Sequence, residues 1–284
     1  MDPRGQPLQV GGEGRLRPML LKPLALLWQE RHLIGSLTSH GLRSRFRGSW
    51  LGWLWPLLLP VLLLLVFTFV FGFVMPLRWV GDNPAERGFP LVLYAGLVLF
   101  MFFGDVVGRA PALILENTNL VKKVVFPLEI LPVVSVLTAL FFLLVNLSVF
   151  LLFLGVTGSP PTMAWLWVPL IVAPLALGLL GVSWFLAALT VYVRDVTQVV
   201  SILVPAMMFL SPVFYPLSVP PEAIQPYLAL NPLAQAIESL RTVVFAGAAP
   251  EARLLAPLWL IGLALFGLGF AWFRRTRAGF ADVV

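Results

Sequence analysis

The stretch WLWPLLLPVLLLLVFTFVFGFV, residues 53–74, runs for 22 residues without a charge. At about 1.5 Å per residue, a helix of that length crosses the roughly 30 Å hydrocarbon slab of a bilayer. Trp50, Trp53 and Trp55 stand at its start, where indole rings suit the headgroup boundary. The whole chain agrees with this choice of solvent: 60% of residues are hydrophobic, 11% are charged, and the mean hydropathy is +0.95. Soluble domains carry about 25% charged residues.

Working outward from this first span, further apolar runs recur. Residues 88–107 form a second span ending near Asp105, and residues 131–156 a third. Residues 166–193 form a fourth, closed by Arg194 and Asp195. Residues 196–216 are a fifth candidate, interrupted by Pro205 and Pro212, whose freed carbonyls need protein or water partners in lipid. A sixth, 257–273, is stopped by Arg274, Arg275 and Arg277. Between the last two, the apolar piece 234–245 is too short to cross. Asn231 before Pro232 reads as a cap and first helical turn, with an apolar stripe of Leu233, Ile237, Leu240 and Val244. This region reads as a re-entrant hairpin of two short helices.

Upstream, residues 20–47 mix Leu24, Leu27, Trp28, Leu33, Ile34, Leu37 and Leu42 with bases, as an amphipathic helix lying in the interface does. Residues 1–18 are polar and rich in Gly, Pro and Arg, which reads as a cytoplasmic tail and not as a cleavable signal. The expected fold is therefore an all-α integral membrane domain over residues 19–284. It has six transmembrane helices, an interfacial amphipathic helix before them and a re-entrant hairpin between the fifth and sixth.

Orientation follows from Lys and Arg. The amino-terminal region holds 8, the loop after span two 3, the loop after span four 1 and the carboxyl end 3, against 2, 0 and 2 in the other loops. The split of 15 to 4 puts both termini in the cytoplasm, with an even number of crossings. Topology thus accounts for the net charge of +6 without nucleic acid.

Several chemistries are excluded. There is no cysteine, and His32 and His40 are the only imidazoles. No GxxxxGK[ST] loop, HExxH or GxSxG occurs, so ATP-driven work must be done by another chain.

Read together, SRFRGSWLGWLWPLLLP (44–60), NLVKKVVFPLEILP (119–132), YVRDV (192–196), SPVFYP (211–216), NPLAQAIESLR (231–241) and FRRTRAGFADVV (273–284) carry a family pattern. In order and spacing the chain resembles the permease subunit of a type-two ATP-binding-cassette exporter, in the branch that exports O-antigen, capsule and teichoic acid. The resemblance implies an inner-membrane homodimer with two separate ATPase subunits, which bind the ATP and magnesium. The permease itself would bind no cofactor or metal and catalyse no reaction. The cargo would be a lipid-linked polysaccharide. Many family members have Arg where this chain has Leu128 and Tyr where it has Phe46, and both departures remove a polar contact.

The resemblance also assigns candidate residues. Leu115, Glu116, Asn119, Leu120, Lys122 and Lys123 would belong to a coupling helix seated on the ATPase, where acid, amide and base groups suit a docking groove. The hairpin, with Pro232, Glu238 and Arg241, would form an external gate, Glu238 and Arg241 pairing at i and i+3. Arg43 and Arg47 share a helical face while Arg45 points away. They read either as a positive-inside anchor or, with Trp50, as a cytoplasmic entrance where guanidinium groups fork to a lipid diphosphate. Phe67, Phe71 and Phe103 read either as packing residues or as stacking faces along a sugar-conducting path. Arg194 and Asp195 read as an ion-paired cap or as a second contact with the ATPase.

Three rivals remain. A drug or small-lipid exporter of the same class shares these features, although the absence of long external domains favours polysaccharide. A membrane glycosyl- or acyltransferase needs acids or histidines clustered at one face, and the 13 acids here are scattered. A channel or secondary transporter is usually marked by an ionisable group within a span. Only Asp105 approaches that position.

Overall fold

Helices account for nearly all of the computed structural model, which describes residues 26–45, 49–75, 88–121, 126–158 and 161–283. The expected tail at 1–18, Phe46, Arg47, Lys122 and Lys123 lie outside the described residues. The first element, α1 (Arg31–Arg45), precedes α2 (Trp55–Phe69), which a 3-10 turn opens and a π-turn, Val70–Val74, closes. Next come α3 (Phe89–Arg109), the short α4 (Ala112–Leu115) and α5 (Thr118–Val121), and the long α6 (Ile130–Val156) and α7 (Val168–Tyr192). The chain continues through α8 (Val196–Leu210), α9 (Gln225–Ala229), α10 (Pro232–Arg241), α11 (Ala252–Thr276) and α12 (Phe280–Val283).

Among the described residues, five helical segments are long and apolar enough to cross a membrane: Gly52–Val74, Phe89–Arg109, Ile130–Val156, Met163–Tyr192 and Ala252–Gly279. The chain is an all-α, multi-pass membrane protein. Helix α8 is apolar but has 15 residues, about 22 Å at the helical rise, which is short of the hydrocarbon thickness. Of the two prolines expected to break it, Pro205 lies inside the helix and only Pro212 acts as a stop. Ser211 is extended, at φ −112° and ψ 150°, as the residue before a proline prefers.

The tightest joint in the bundle is between α7 and α11. A Cβ on Gly181 would collide with the Leu265 carbonyl, one on Gly262 with that of Pro174, and one on Gly269 with that of Gly181. Apolar attraction between helices vanishes in lipid, so close backbone approach at small residues holds such pairs together. Aromatic rings flank the seam. Trp184 lies 5.4 Å from Phe266 and 5.0 Å from Phe270, and Phe185 lies 5.5 Å from Trp272. Near the end of α7 the Tyr192 hydroxyl donates to the Thr276 carbonyl at 2.6 Å. Residue numbers rise together along the contact, so α7 and α11 run parallel.

Helices α3 and α6 run antiparallel. Tyr94 is fully buried against Phe150 at 5.2 Å and donates to Asn146 Oδ1 at 3.1 Å. This satisfies a phenol that would otherwise lose its hydrogen bond in an apolar core. Helix α2 is the outlier, because most of its Leu, Val and Phe side chains are exposed and only Pro56, Pro60 and Leu64 are buried.

Candidate functional site

The irregular backbone after α8 lies inside the protein, and side chains satisfy its carbonyls. Asn231 caps α10 by accepting from Leu233 N at 3.0 Å, with Pro232 in the first turn as the sequence predicts. Its amide also donates to Ser211 Oγ at 2.9 Å and to the Leu210 carbonyl at 3.4 Å. The Tyr215 hydroxyl reaches the Phe209 carbonyl at 2.6 Å. Arg241, 6% exposed, donates from Nη2 to the Val213 carbonyl at 2.8 Å and from Nε to the Val92 carbonyl at 3.4 Å. Its Nη1 pairs with Glu238 at 3.1 Å. Backbone that leaves helical geometry at membrane depth requires partners of this kind.

Gly96 makes the arrangement possible. A Cβ there would stand 3.0 Å from Arg241 Nη2 and 3.2 Å from Val213 Cα. The base of α10 reaches the middle of the bundle, where Asn231, Pro232 and Leu233 share a cavity of about 110 Å³ with Phe103, Pro174, Gly178 and Gly262. From there α10 climbs antiparallel to α3. The π-turn after it, Thr242–Ala246, brings Gly247 against Thr162.

The opposite end of the bundle, where α1, α3, α7 and α11 finish and α6 starts, is tied by charges. Arg45 grips Asp105 through Nη1 to Oδ2 at 2.9 Å and Nη2 to Oδ1 at 3.2 Å, and Arg109 Nε reaches Oδ1 at 3.0 Å. The Arg45 guanidinium also sits 4.4 Å from the centre of the Phe142 ring. Glu129, 3% exposed, accepts from Arg277 Nη1 at 2.6 and 2.7 Å, while Arg277 Nη2 reaches the Phe126 carbonyl at 3.1 Å. The Trp184 indole donates to the Glu129 carbonyl at 2.9 Å. Leu128 beside it is buried, so the guanidinium serving this segment comes from the chain's far end.

The Glu129 pair carries an asymmetric prediction. Arg277→Ala leaves a buried carboxylate without a cation and is expected to destabilise by about 2 kcal/mol, whereas Glu129→Ala leaves a half-exposed guanidinium that water can reach, at about 1 kcal/mol. Thermal unfolding of the detergent-solubilised variants gives the order, and equal or reversed losses would contradict it.

Among the other residues singled out from the sequence, Glu116 and Asn119 are exposed, while Leu115 and Leu120 are half-buried. They lie on α4, α5 and the turn between them. Arg43 is exposed and Trp50 is 98% exposed. Arg45, read as pointing away, is the base that finds an acid on another helix. The three phenylalanines do not form one cluster. Phe67 lies 6.1 Å from Phe71, which packs 5.1 Å from Phe89 at the start of α3. Phe103, fourteen positions after Phe89 and so about 21 Å further along, packs on Phe100 and lines the cavity at the base of α10. Arg194 and Asp195 are exposed in the tight turn between α7 and α8.

Sequence reading missed the partners of Arg45, Glu129 and Asn231. The only available signal was the rarity of their type: an acid at a span end, an acid opening a span and an amide before proline.

Comparison with known proteins gives the family. The family model described as "ABC-2 type transporter" matches residues 32–245. The chain is 31% identical over 260 residues to the O-antigen export system permease protein RfbA of Myxococcus xanthus, covering 91% of this chain and 97% of that one. It is 26% identical over 253 residues to the permease of the same name from Klebsiella pneumoniae, covering 89% and 95%. It is 27% identical over 243 residues to the polysialic acid transport protein KpsM of Escherichia coli, covering 83% and 90%. With three quarters of its length matched by that family model, the chain belongs to the ABC-2 type transporter family.

Proposed function

We propose that this chain is the membrane permease of an ATP-driven exporter that moves a lipid-linked polysaccharide across the inner membrane. One observation carries the reading: relatives aligned over nearly their full length are named for O-antigen export and polysialic acid transport. The permease works as a homodimer with two ATPase subunits, which bind and hydrolyse ATP with magnesium.

Six crossings with both termini cytoplasmic follow from the charge bias and are supported by the helix directions. Because α7 and α11 run parallel, residues 193–251 must carry the chain back to the side where α7 began. Helix α8 and the extended residues after it make that return. Helices α9 and α10 then form a re-entrant external gate, α1 lies in the cytoplasmic interface, and residues 19–284 act as one transmembrane domain.

ATPase closure pushes on α4 and α5, which continue directly from α3. Arg45 connects α3 with α1, beside the entrance assigned to Arg43, Arg47 and Trp50. Motion therefore reaches the entrance and the helices that line the path, where Phe67, Phe71 and Phe103 stack on sugar faces.

The exposed residues of the coupling segment give the cleanest test. Glu116→Arg combined with Asn119→Arg is expected to lower co-purification of the cognate ATPase at least about tenfold, the effect of losing one or two charge-assisted contacts at an interface. Export of polymer to the cell surface falls in parallel, while permease abundance is unchanged because both side chains are exposed. Normal complex yield and normal surface polymer in this double variant would refute the coupling assignment.

A further inference from the structure

Between α2, α3 and α6 lies a cleft of about 420 Å³, within the size range of ligand pockets. Its walls are Pro56, Leu59, Pro60, Val98, Met101 and Phe102 with residues of α6, and Arg45 and Asp105 stand at its mouth. From Asp105 to Val98 is seven residues of one helix, a depth of about 10 Å. Leu59 and Met101, on the lip, are 52% and 40% exposed, so the cleft opens sideways off the bundle. The one polar group in its depth, the Asn146 amide, accepts from Tyr94 and donates to the Phe142 carbonyl at 2.7 Å. It asks nothing of an occupant.

The mouth has the opposite character. Arg45 and Arg109 share the single carboxylate of Asp105, which leaves one positive charge in surplus among these three described residues. The Phe142 ring holds the Arg45 guanidinium in place, and Arg109 is half-exposed, with its terminal nitrogens outside the ion pair. An apolar slot entered past a singly positive mouth, at the edge of a bilayer, has the chemistry of a lipid with one anionic phosphodiester. Basic pockets between transmembrane helices on the cytoplasmic side bind such headgroups.

We propose that this cleft holds an acyl chain of an anionic glycerophospholipid, with its phosphodiester against Arg45 and Arg109. A diphosphate-linked carrier fits less well. Its headgroup carries more than one negative charge, where Arg45, Arg109 and Asp105 together leave one positive charge in surplus. Bound there, the phospholipid fills the gap beside α2, the least buried span, and seats that helix against α3 and α6.

The permease with its ATPase is reconstituted in vesicles of equal parts phosphatidylcholine and phosphatidylglycerol and extracted in detergent. Native mass spectrometry then counts the lipids retained. Wild-type protein is expected to retain phosphatidylglycerol in preference to phosphatidylcholine. Each of Arg45→Gln and Arg109→Gln lowers that retention about fivefold, the weight of one basic group at an anionic headgroup. Because Arg45→Gln also removes an ion pair, Met101→Trp serves as a second variant, filling the lip with the three charged residues intact. It is expected to abolish the preference.

Equal retention of both lipids by wild type, or unchanged retention in Met101→Trp, overturns the site. Displacement of the retained phosphatidylglycerol by added undecaprenyl diphosphate overturns the assignment to a phospholipid. Persistence in its presence supports it.

Discussion

Gly181→Leu is expected to prevent the protein from accumulating in the membrane. The backbones of α7 and α11 touch at this position, so even a single Cβ would lie inside the Leu265 carbonyl. Neither helix can retreat easily, because the rings of Trp184, Phe266 and Phe270 interlock alongside. Overpacking a well-filled interior costs about 1–3 kcal/mol when neighbours can shift, and the upper end or more applies where the obstacle is backbone. Gly269→Leu should behave alike, since its Cβ would meet the Gly181 carbonyl. Gly155→Leu, at a position with nothing within 4 Å, is the control and should accumulate normally. Membrane abundance and the thermal transition of purified protein report the difference. Wild-type stability in Gly181→Leu would mean that α7 and α11 do not meet as described.

Arg241→Ala is expected to abolish export and loosen α10 from α3. The guanidinium joins three elements, through the Val213 carbonyl after α8, the Val92 carbonyl on α3 and Glu238 on its own helix. Removing it strands the Val213 carbonyl and the Glu238 acid in surroundings with little water. Breaking one side of a buried pair costs about 3–5 kcal/mol. Lysine keeps the charge but presents a single ammonium where a planar fork reaches in three directions, so Arg241→Lys should recover only a minor part of function. With Cys placed at Val213, labelling by a membrane-impermeant maleimide should rise sharply in the Arg241→Ala background. Unchanged labelling together with normal surface polymer would show that the clamp is dispensable.

Most of the fold could be read from the sequence because lipid imposes length and charge rules that residues reveal one at a time. The long helices begin and end within a few positions of their charged or proline boundaries, as at Glu129 before α6 and Arg194 after α7. The capped start of α10 was legible for the same reason: Asn231 and Pro232 act locally. In helix α8 the break expected at Pro212 is found, with Ser211 extended before it, whereas Pro205 is absorbed within the helix.

What escaped was relational. Arg45 and Asp105 are sixty positions apart, Glu129 and Arg277 still further, and no local pattern announces either pair. Helical spacing put Arg45 on the opposite face from Arg43 but could not say what waited there. Likewise Phe67, Phe71 and Phe103 look alike in sequence, and only packing separates Phe71, set against the start of α3 with Phe67 beside it, from Phe103, which lines the cavity at the base of α10.

The parallel pair of α7 and α11 has a mechanical consequence for everything strung between them. Residues 193–251 leave one member of a fused strut and return to the other, so both anchor points of this loop are fixed with respect to each other. Such a segment cannot swing like a door on one hinge. Held at both ends, it can change shape only by bending within itself, and its backbone leaves helical geometry at Ser211, before Pro212, and at Gly247, at φ +63°.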